Sequence, residues 1–165
     1  MKIPAILAVL SLAILCASCS KKKETRLVSI GEKAEIGGLV YQAIDTHWPM
    51  TLGERTPKER FFVIRVSIRN SGGADATIPA FEVVDDADNT YPESPDGSGV
   101  EKWLGMSRKL SNGASEQGDI LFDVPPKHYR LRVADENDTN FMYVDIPLNL
   151  TTEDPSRTKS DTFAK

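Results

Sequence analysis

The sequence predicts an all-β domain, an antiparallel sandwich or barrel of about seven or eight short strands. Three observations carry that expectation. Residues 60–70 read Arg-Phe-Phe-Val-Ile-Arg-Val-Ser-Ile-Arg-Asn, with Phe62, Ile64, Val66 and Ile68 on alternate positions against Arg65, Ser67 and Arg69. A period of two is what a strand with one buried face requires. Turn signals recur at roughly ten-residue spacing, as in sandwiches and barrels. No amphipathic helix of convincing length is present.

The chain has 165 residues, room for one domain plus appendages. Its 20 basic and 24 acidic residues leave a net charge of −4, so there is no global basic footprint for nucleic acid. Ten prolines and eleven glycines are spread along it, which suits a turn-rich β domain better than a helical one.

Residues 1–18 predict an export signal. Lys2 supplies a positive start, residues 3–15 are apolar apart from Ser11, and small Ala17 and Ser18 follow. That run is short for a permanent bilayer-crossing helix and suits a signal-peptide core. The stretch Leu15-Cys16-Ala17-Ser18-Cys19 resembles the lipobox of bacterial lipoproteins, in which the cysteine after small residues is acylated and becomes the mature amino terminus. Cys19 fits that role. Cys16 stands where the family usually has Leu, and it follows bulky Ile14 and Leu15.

The resemblance implies several fatty acyl (palmitate-type) chains on Cys19, and stable anchoring takes more than one. Ser20 resembles a residue that permits outer-membrane delivery. Residues 19–27 then form a lipidated tether. Its Lys21, Lys22 and Lys23 either stay solvated or add roughly 1 kcal/mol each of attraction to anionic headgroups. With Cys19 acylated, the domain contains no cysteine, which excludes disulfides and thiol chemistry from it.

Residues 28–148 carry the strands. Ala34-Glu35-Ile36 and the stretch from Leu39 to Ile44 flank Gly37-Gly38, a hairpin connection that glycine fits at positive φ. Trp48-Pro49 ends that strand, and residues 50–59 are a polar loop before Arg60. Asn70-Ser71-Gly72-Gly73 is a turn. Residues 80–84 are a short strand, followed by the turn Asp85-Asp86-Ala87-Asp88-Asn89 and a return through Thr90-Tyr91. Residues 92–113 are the longest irregular stretch.

Ile120, Phe122 and Val124 alternate with Leu121 and Asp123 until Pro125-Pro126 stops the strand, since proline cannot donate to a ladder. Tyr129, Leu131 and Val133 alternate with Arg130 and Arg132, and a turn at residues 135–138 leads into a last strand at residues 141–146. Residues 149–165 are polar and charged and predict a disordered tail. Links of hairpin length predict mainly antiparallel pairing, with two sheets sharing one core. The expected core is Val40, Phe62, Ile64, Val66, Ile68, Phe81, Ile120, Phe122, Leu131, Val133 and Val144.

Several phrases then fall in one order: Gly31-Glu32, Gly37-Gly38-Leu39-Val40-Tyr41, the strand from Phe62 ending at Asn70, Phe81-Glu82-Val83-Val84-Asp85-Asp86 with Tyr91, and Gly118-Asp119-Ile120-Leu121-Phe122-Asp123-Val124-Pro125. Over residues 28–147 this resembles the telokin-like, immunoglobulin-fold domain of bacterial lipoproteins. The resemblance implies an immunoglobulin-like antiparallel β-sandwich on the cell envelope and brings no functional residues with it. Ala87-Asp88-Asn89 departs from the family's usual Gly in that turn.

No catalytic residues, cofactor or metal are expected. Asp85, Asp86, Asp88 and Asn89 crowd oxygen atoms as a calcium loop would, yet a strand returns at Thr90, and Asp and Asn are what a turn prefers for its own backbone bonds. Asp135, Glu136 and Asp138 read the same way. His47 and His128 each sit beside a strand end with no ligand spacing around them. No serine lies on a strand-to-helix elbow and no Gly-rich loop opens a helix, so the expectation is a protein that is not an enzyme.

Trp103 and Trp48 either pack over the core ends or stand exposed as anchors for a protein or glycan partner. The function expected is a membrane-anchored envelope module that binds or spaces. The alternative is an accessory or chaperone-like subunit pairing through a sheet edge, and a third is an envelope hydrolase.

Overall fold

The strand at the centre of the expected core spans Phe61–Asn70 and sits between two antiparallel neighbours, Leu39–His47 and Ser115–Asp123. The computed structural model describes residues 26–150; the expected signal peptide, Cys19 with most of its tether, and the tail beyond Leu150 lie outside the described residues. In chain order the strands are β1 Leu27–Ser29, β2 Ala34–Ile36, β3 Leu39–His47, β4 Phe61–Asn70, β5 Ala76–Ile78 and β6 Glu82–Asp85. They continue with β7 Thr90–Pro92, β8 Arg108–Leu110, β9 Ser115–Asp123, β10 Tyr129–Ala134 and β11 Phe141–Ile146.

Two sheets face each other, β1-β11-β10-β6-β7 (the β10 sheet) and β2-β3-β4-β9 (the β4 sheet), and β5 pairs with β8 apart from them. The described residues thus form the expected immunoglobulin-like sandwich. Phe62, Ile64, Val66 and Ile68 are at most 1% exposed and share one apolar cluster with Leu131, Val133 and Val144 of the opposite sheet. Tyr41 crosses between the sheets, its hydroxyl donating to the Ala134 carbonyl at 2.8 Å. Burial pushes that phenol well above the ordinary tyrosine range.

Four expectations are corrected. Among the described residues the strands number eleven, because β1, β5 and β8 have three residues each, too few to display a period. β8 lies inside the stretch read as irregular. β1 runs parallel to β11 while the other ladders are antiparallel, so the pairing is mainly antiparallel, as expected. Val40 is half-buried, and Leu39, Tyr41 and Ala43 point inward instead; Leu39-Val40-Tyr41 is apolar in both phases, so composition alone does not fix which side faces the core.

The fourth correction concerns β4, whose outer face is dry at its start. Phe61 and Val63 are buried with Leu121 in a second cluster that Leu52 and Val100 cover. Those two residues come from the loops before β4 and after β7, so the β4 sheet carries its own lid.

Two polar devices hold the loops. Asn70 is fully buried and donates from Nδ2 to the Ala74 and Leu110 carbonyls at 2.8 and 3.0 Å, while its Oδ1 accepts the Gly72 N–H at 3.0 Å. This is why the strand ends in asparagine. Glu93 and Arg108 form an ion pair whose side chains are 1% and 0% exposed, which ties the start of the long loop to β8.

Candidate functional site

The outer faces of the two sheets are unlike. Over the β4 sheet, Arg55 donates to the Ser98 carbonyl at 2.6 Å and lies 5.4 Å from the Phe61 ring centre. Along the free edge of β9, Asp119 N–H donates to the Lys102 carbonyl at 2.7 Å and Ser94 N–H to the Leu121 carbonyl at 2.7 Å. Arg65 clasps the Asp119 carboxylate with bonds of 2.9 and 3.2 Å. That face is closed by the chain's own loops.

Among the described residues the β10 sheet has no such lid. Alternation sends Arg130 and Arg132 of β10 and Phe141, Tyr143 and Asp145 of β11 outward, and Leu27 on β1, opposite Tyr143, is 55% exposed. The Arg130 guanidinium carbon lies 5.1 Å from the Tyr143 ring centre and that of Arg132 lies 4.6 Å from Phe141. The two rings meet edge to face at 5.6 Å. Rings and guanidinium planes therefore cover one another in a ladder, an arrangement in which the ring quadrupole attracts the cation.

Each arginine is also held by a turn. Arg130 Nη2 donates to Asp88 Oδ1 at 2.7 Å and to the Asp85 carbonyl at 3.1 Å, and Arg132 Nη2 donates to Asp138 Oδ1 at 2.7 Å. Asp88 and Asp138 take the left-handed backbone, with φ of 61° and 55°, a conformation that aspartate tolerates better than most side chains. Asp88 thus does in its turn what the missing glycine would do, and brings a carboxylate to β10.

The first carboxylate of each turn faces inward. Asp85 accepts from the Ala87 and Asn89 N–H groups, Asn89 Nδ2, the Tyr91 hydroxyl and Lys127 Nζ. The Asn89 side chain, then Lys127 and the turn's backbone, hold it well below the usual carboxylate range against the opposing effect of burial. In Asp135 burial pushes upward, and bonds from Asn140 and Thr139 outweigh it and lower the carboxyl. Both turns are closed by their own donors, as the turn reading of the sequence has it. Among the described residues no group of three or more His, Cys, Asp or Glu side chains is placed to hold a metal ion.

His128 completes the face at the end where β10 begins. Its Nδ1 lies 2.7 Å from Asp86 Oδ1 and its Nε2 lies 2.9 Å from Asp145 Oδ1. Both carboxylates hold the imidazole above its ordinary value of 6.5. With Lys127, Asp85, Asp86 and Ala87 it lines a shallow cleft of about 340 Å³.

Both tryptophans pack against the chain's own residues. Trp48 is 8% exposed and stacks on Phe62 with ring centres 4.0 Å apart, because β3 runs on to His47 and delivers the next residue over the end of the core. Trp103 is half-buried and lies so close to Gly97 that a Cβ there would be 2.0 Å from its indole. His47 is exposed at the end of β3. Cys19 lies outside the described residues.

The alternation of residues 129–133 places Arg130 and Arg132 on the outer face but does not display the ladder. Its signal is the repeat of Phe141 and Tyr143 two positions apart on the next strand, and it becomes legible only once the β10–β11 register, Arg132 opposite Tyr143, is known.

Similar folds are found in solved structures. The yjhA protein of Bacillus subtilis is 20% identical, with a TM-score of 0.54, over 72% of this chain and 98% of its own. MPT63, a secreted protein from Mycobacterium tuberculosis, is 10% identical with a TM-score of 0.55, over 76% of this chain and 98% of its own. The candidate lipoprotein ycdA of Bacillus subtilis is 12% identical with a TM-score of 0.55, over 70% of this chain but only 38% of its own. At these identities the likeness concerns the fold alone. No curated protein matches the chain in sequence. A family model does match, over residues 28–147, and the chain belongs to that family, the domain of unknown function DUF4352.

Proposed function

We propose that this protein is a lipid-anchored module of the bacterial cell envelope that binds a protein partner, without turnover, through the open face of the β10 sheet. The observation that carries the proposal is the Arg130–Tyr143 and Arg132–Phe141 ladder, left uncovered by the other described residues while the opposite sheet wears its own loops. Arg, Tyr and Phe are the residues enriched where proteins meet. Each guanidinium already has its own carboxylate, so a phosphate backbone or an anionic bilayer would have to displace one. A protein surface of mixed charge meets the face without that cost.

The anchor rests on the lipobox-like Cys19 and on the telokin-like order of motifs. Two solved neighbours, described as a secreted protein and as a candidate lipoprotein, agree with export. Pairing through a sheet edge is less well served. β1, β2 and β7 have three residues each, the edge of β9 is occupied by the long loop, and β3 is bulged between Ala43 and Asp45. A short or bulged edge discourages strand addition.

The test is capture of the full chain from its own envelope, beside the double variant Arg130→Ala/Arg132→Ala. Loss of a hot-spot residue costs about 2 kcal/mol or more, roughly thirty-fold in affinity. A protein recovered with the wild type should therefore be lost from the double variant. Equal recovery with both contradicts the face. Mass spectrometry of the mature amino terminus tests the anchor: acylated Cys19 is the expected result, and an unmodified terminus beyond Cys19 removes it.

A further inference from the structure

We propose that His128 is a proton-operated latch on the open face. As an imidazolium it ties the β6–β7 turn to β11, and its deprotonation opens one tie and slackens the support of Arg130. The inference rests on the reading of that face as the binding surface.

The geometry requires the charged ring. A carboxylate only accepts, and His128 has one on each nitrogen, Asp86 at 2.7 Å and Asp145 at 2.9 Å. A neutral imidazole has one N–H and one lone pair, so it satisfies one carboxylate and turns a lone pair on the other. Both contacts are made only while both nitrogens carry protons. When one proton leaves to solvent, the contact it served becomes a repulsion between lone pairs.

The arm that opens is set by exposure. The Asp86 side chain is 74% exposed and can swing into water, whereas Asp145, at 37%, sits within β11. The turn that carries Asp86 also carries Asp88, the partner of Arg130. Arg130 in turn stands directly opposite Asp145 in the β10–β11 register. Loosening the turn therefore weakens the hold of Asp88 and lets Arg130 shift toward Asp145, away from the Tyr143 ring that it covers.

The charges around the ring are these. Asp86 faces it from the turn, with Asp85 and Asp88 behind, and Asp145 faces it from β11. Lys127 and Arg130 flank it on its own segment, paired with Asp85 and Asp88. Beyond Ser29 on β1, which lies opposite Asp145, stands Glu32, whose carboxylate accepts the Ser29 N–H. The two nearest groups are thus the unneutralised carboxylates, consistent with the raised titration of the ring. A raised value gives the sign: the latch is fully closed below about pH 6.5, the ordinary imidazole value, and is lost as pH rises through the higher native value.

The test is a proton NMR titration and amide exchange on the full chain between about pH 5.5 and 9.5, for the wild type, His128→Gln and Asp145→Asn. In the wild type His128 should titrate above the ordinary value, and the Tyr143 ring and Arg130 Nε–H signals should move with the same midpoint. Amide exchange across residues 86–89, corrected for intrinsic rates, should speed up by about five-fold or more above that midpoint, the lower end of ordinary site coupling. Both responses should vanish in His128→Gln, and the midpoint should fall in Asp145→Asn, which keeps the ring. A His128 titration that leaves Tyr143, Arg130 and the turn unmoved overturns the latch. Capture that is lost with Arg130→Ala/Arg132→Ala but is the same at both ends of the pH range also overturns the latch while leaving the binding face intact. Capture retained by that double variant removes the face and leaves the titration to judge the latch on its own.

Discussion

Replacing Glu93 with alanine is expected to cost the domain about 3–5 kcal/mol, the range for removing one partner of a buried ion pair. The pair is dry, with side chains 1% and 0% exposed. Arg108 Nη1 donates to Glu93 Oε1 at 2.9 Å and Nη2 donates to Oε2. Glu93 Oε1 also accepts the Phe81 N–H at 2.9 Å, and the guanidinium lies 5.0 Å from the Phe81 ring centre. Without Glu93, a buried cation and a buried N–H lose their acceptor together. A typical domain has only about 5–15 kcal/mol in total, so urea unfolding should show a midpoint well below that of the wild type. The double variant Glu93→Leu/Arg108→Met removes the charge as well and should recover part of the loss, the Phe81 N–H still lacking its acceptor. A cost under about 1 kcal/mol for Glu93→Ala, the range of a solvated pair, would mean that the pair is not buried as described.

Phe62→Ala should cost a similar amount, about 3–5 kcal/mol, by removing a ring from a core that cannot collapse to fill the space. Phe62 lies 4.0 Å from Trp48, 5.8 Å from Tyr129 and 6.3 Å from Phe122, centre to centre. It is the residue on which three elements converge: β9, the start of β10 and the segment after β3. The indole of Trp48 loses its stacking partner in the variant, so its emission should move to longer wavelength along with the fall in the unfolding midpoint. Unchanged emission together with near-native stability would contradict the packing of this end of the core.

These two sites divide what the sequence displays from what it conceals. Phe62 was legible because a strand repeats itself every second residue, and Ile64, Val66 and Ile68 continue the pattern. The Gly37-Gly38 hairpin was legible because Gly37 must take φ of 58°. The last strand was legible because Met142, Val144 and Ile146 face in while Phe141, Tyr143 and Asp145 face out. Glu93 and Arg108 are fifteen positions apart in what reads as an irregular loop, and nothing local announces that they meet in the core. Likewise, Phe61 and Val63 are buried beneath Leu52 and Val100, which arrive from the loops before β4 and after β7.

The candidate face stands between these cases. Alternation places Arg130 and Arg132 outside, and His128 was expected beside a strand end. The stacking on Phe141 and Tyr143, and the clasp of His128 by Asp86 and Asp145, depend on which strands become neighbours, and on that point a single strand's pattern is silent. The acidic turns were legible in kind because aspartate and asparagine close turns on their own backbone. That Asp88 and Asp138 also reach the arginines of β10 follows from the left-handed φ at both positions.

The most direct measurement is photo-crosslinking in the native envelope, with a photoreactive phenylalanine analogue replacing Phe141 on the open face in one full-length chain and Lys109, the exposed residue of β8, in another. The account predicts a discrete adduct to one envelope protein from position 141, abolished by Arg130→Ala/Arg132→Ala, and none from position 109. No adduct from position 141, or the same adduct from both positions, would contradict it.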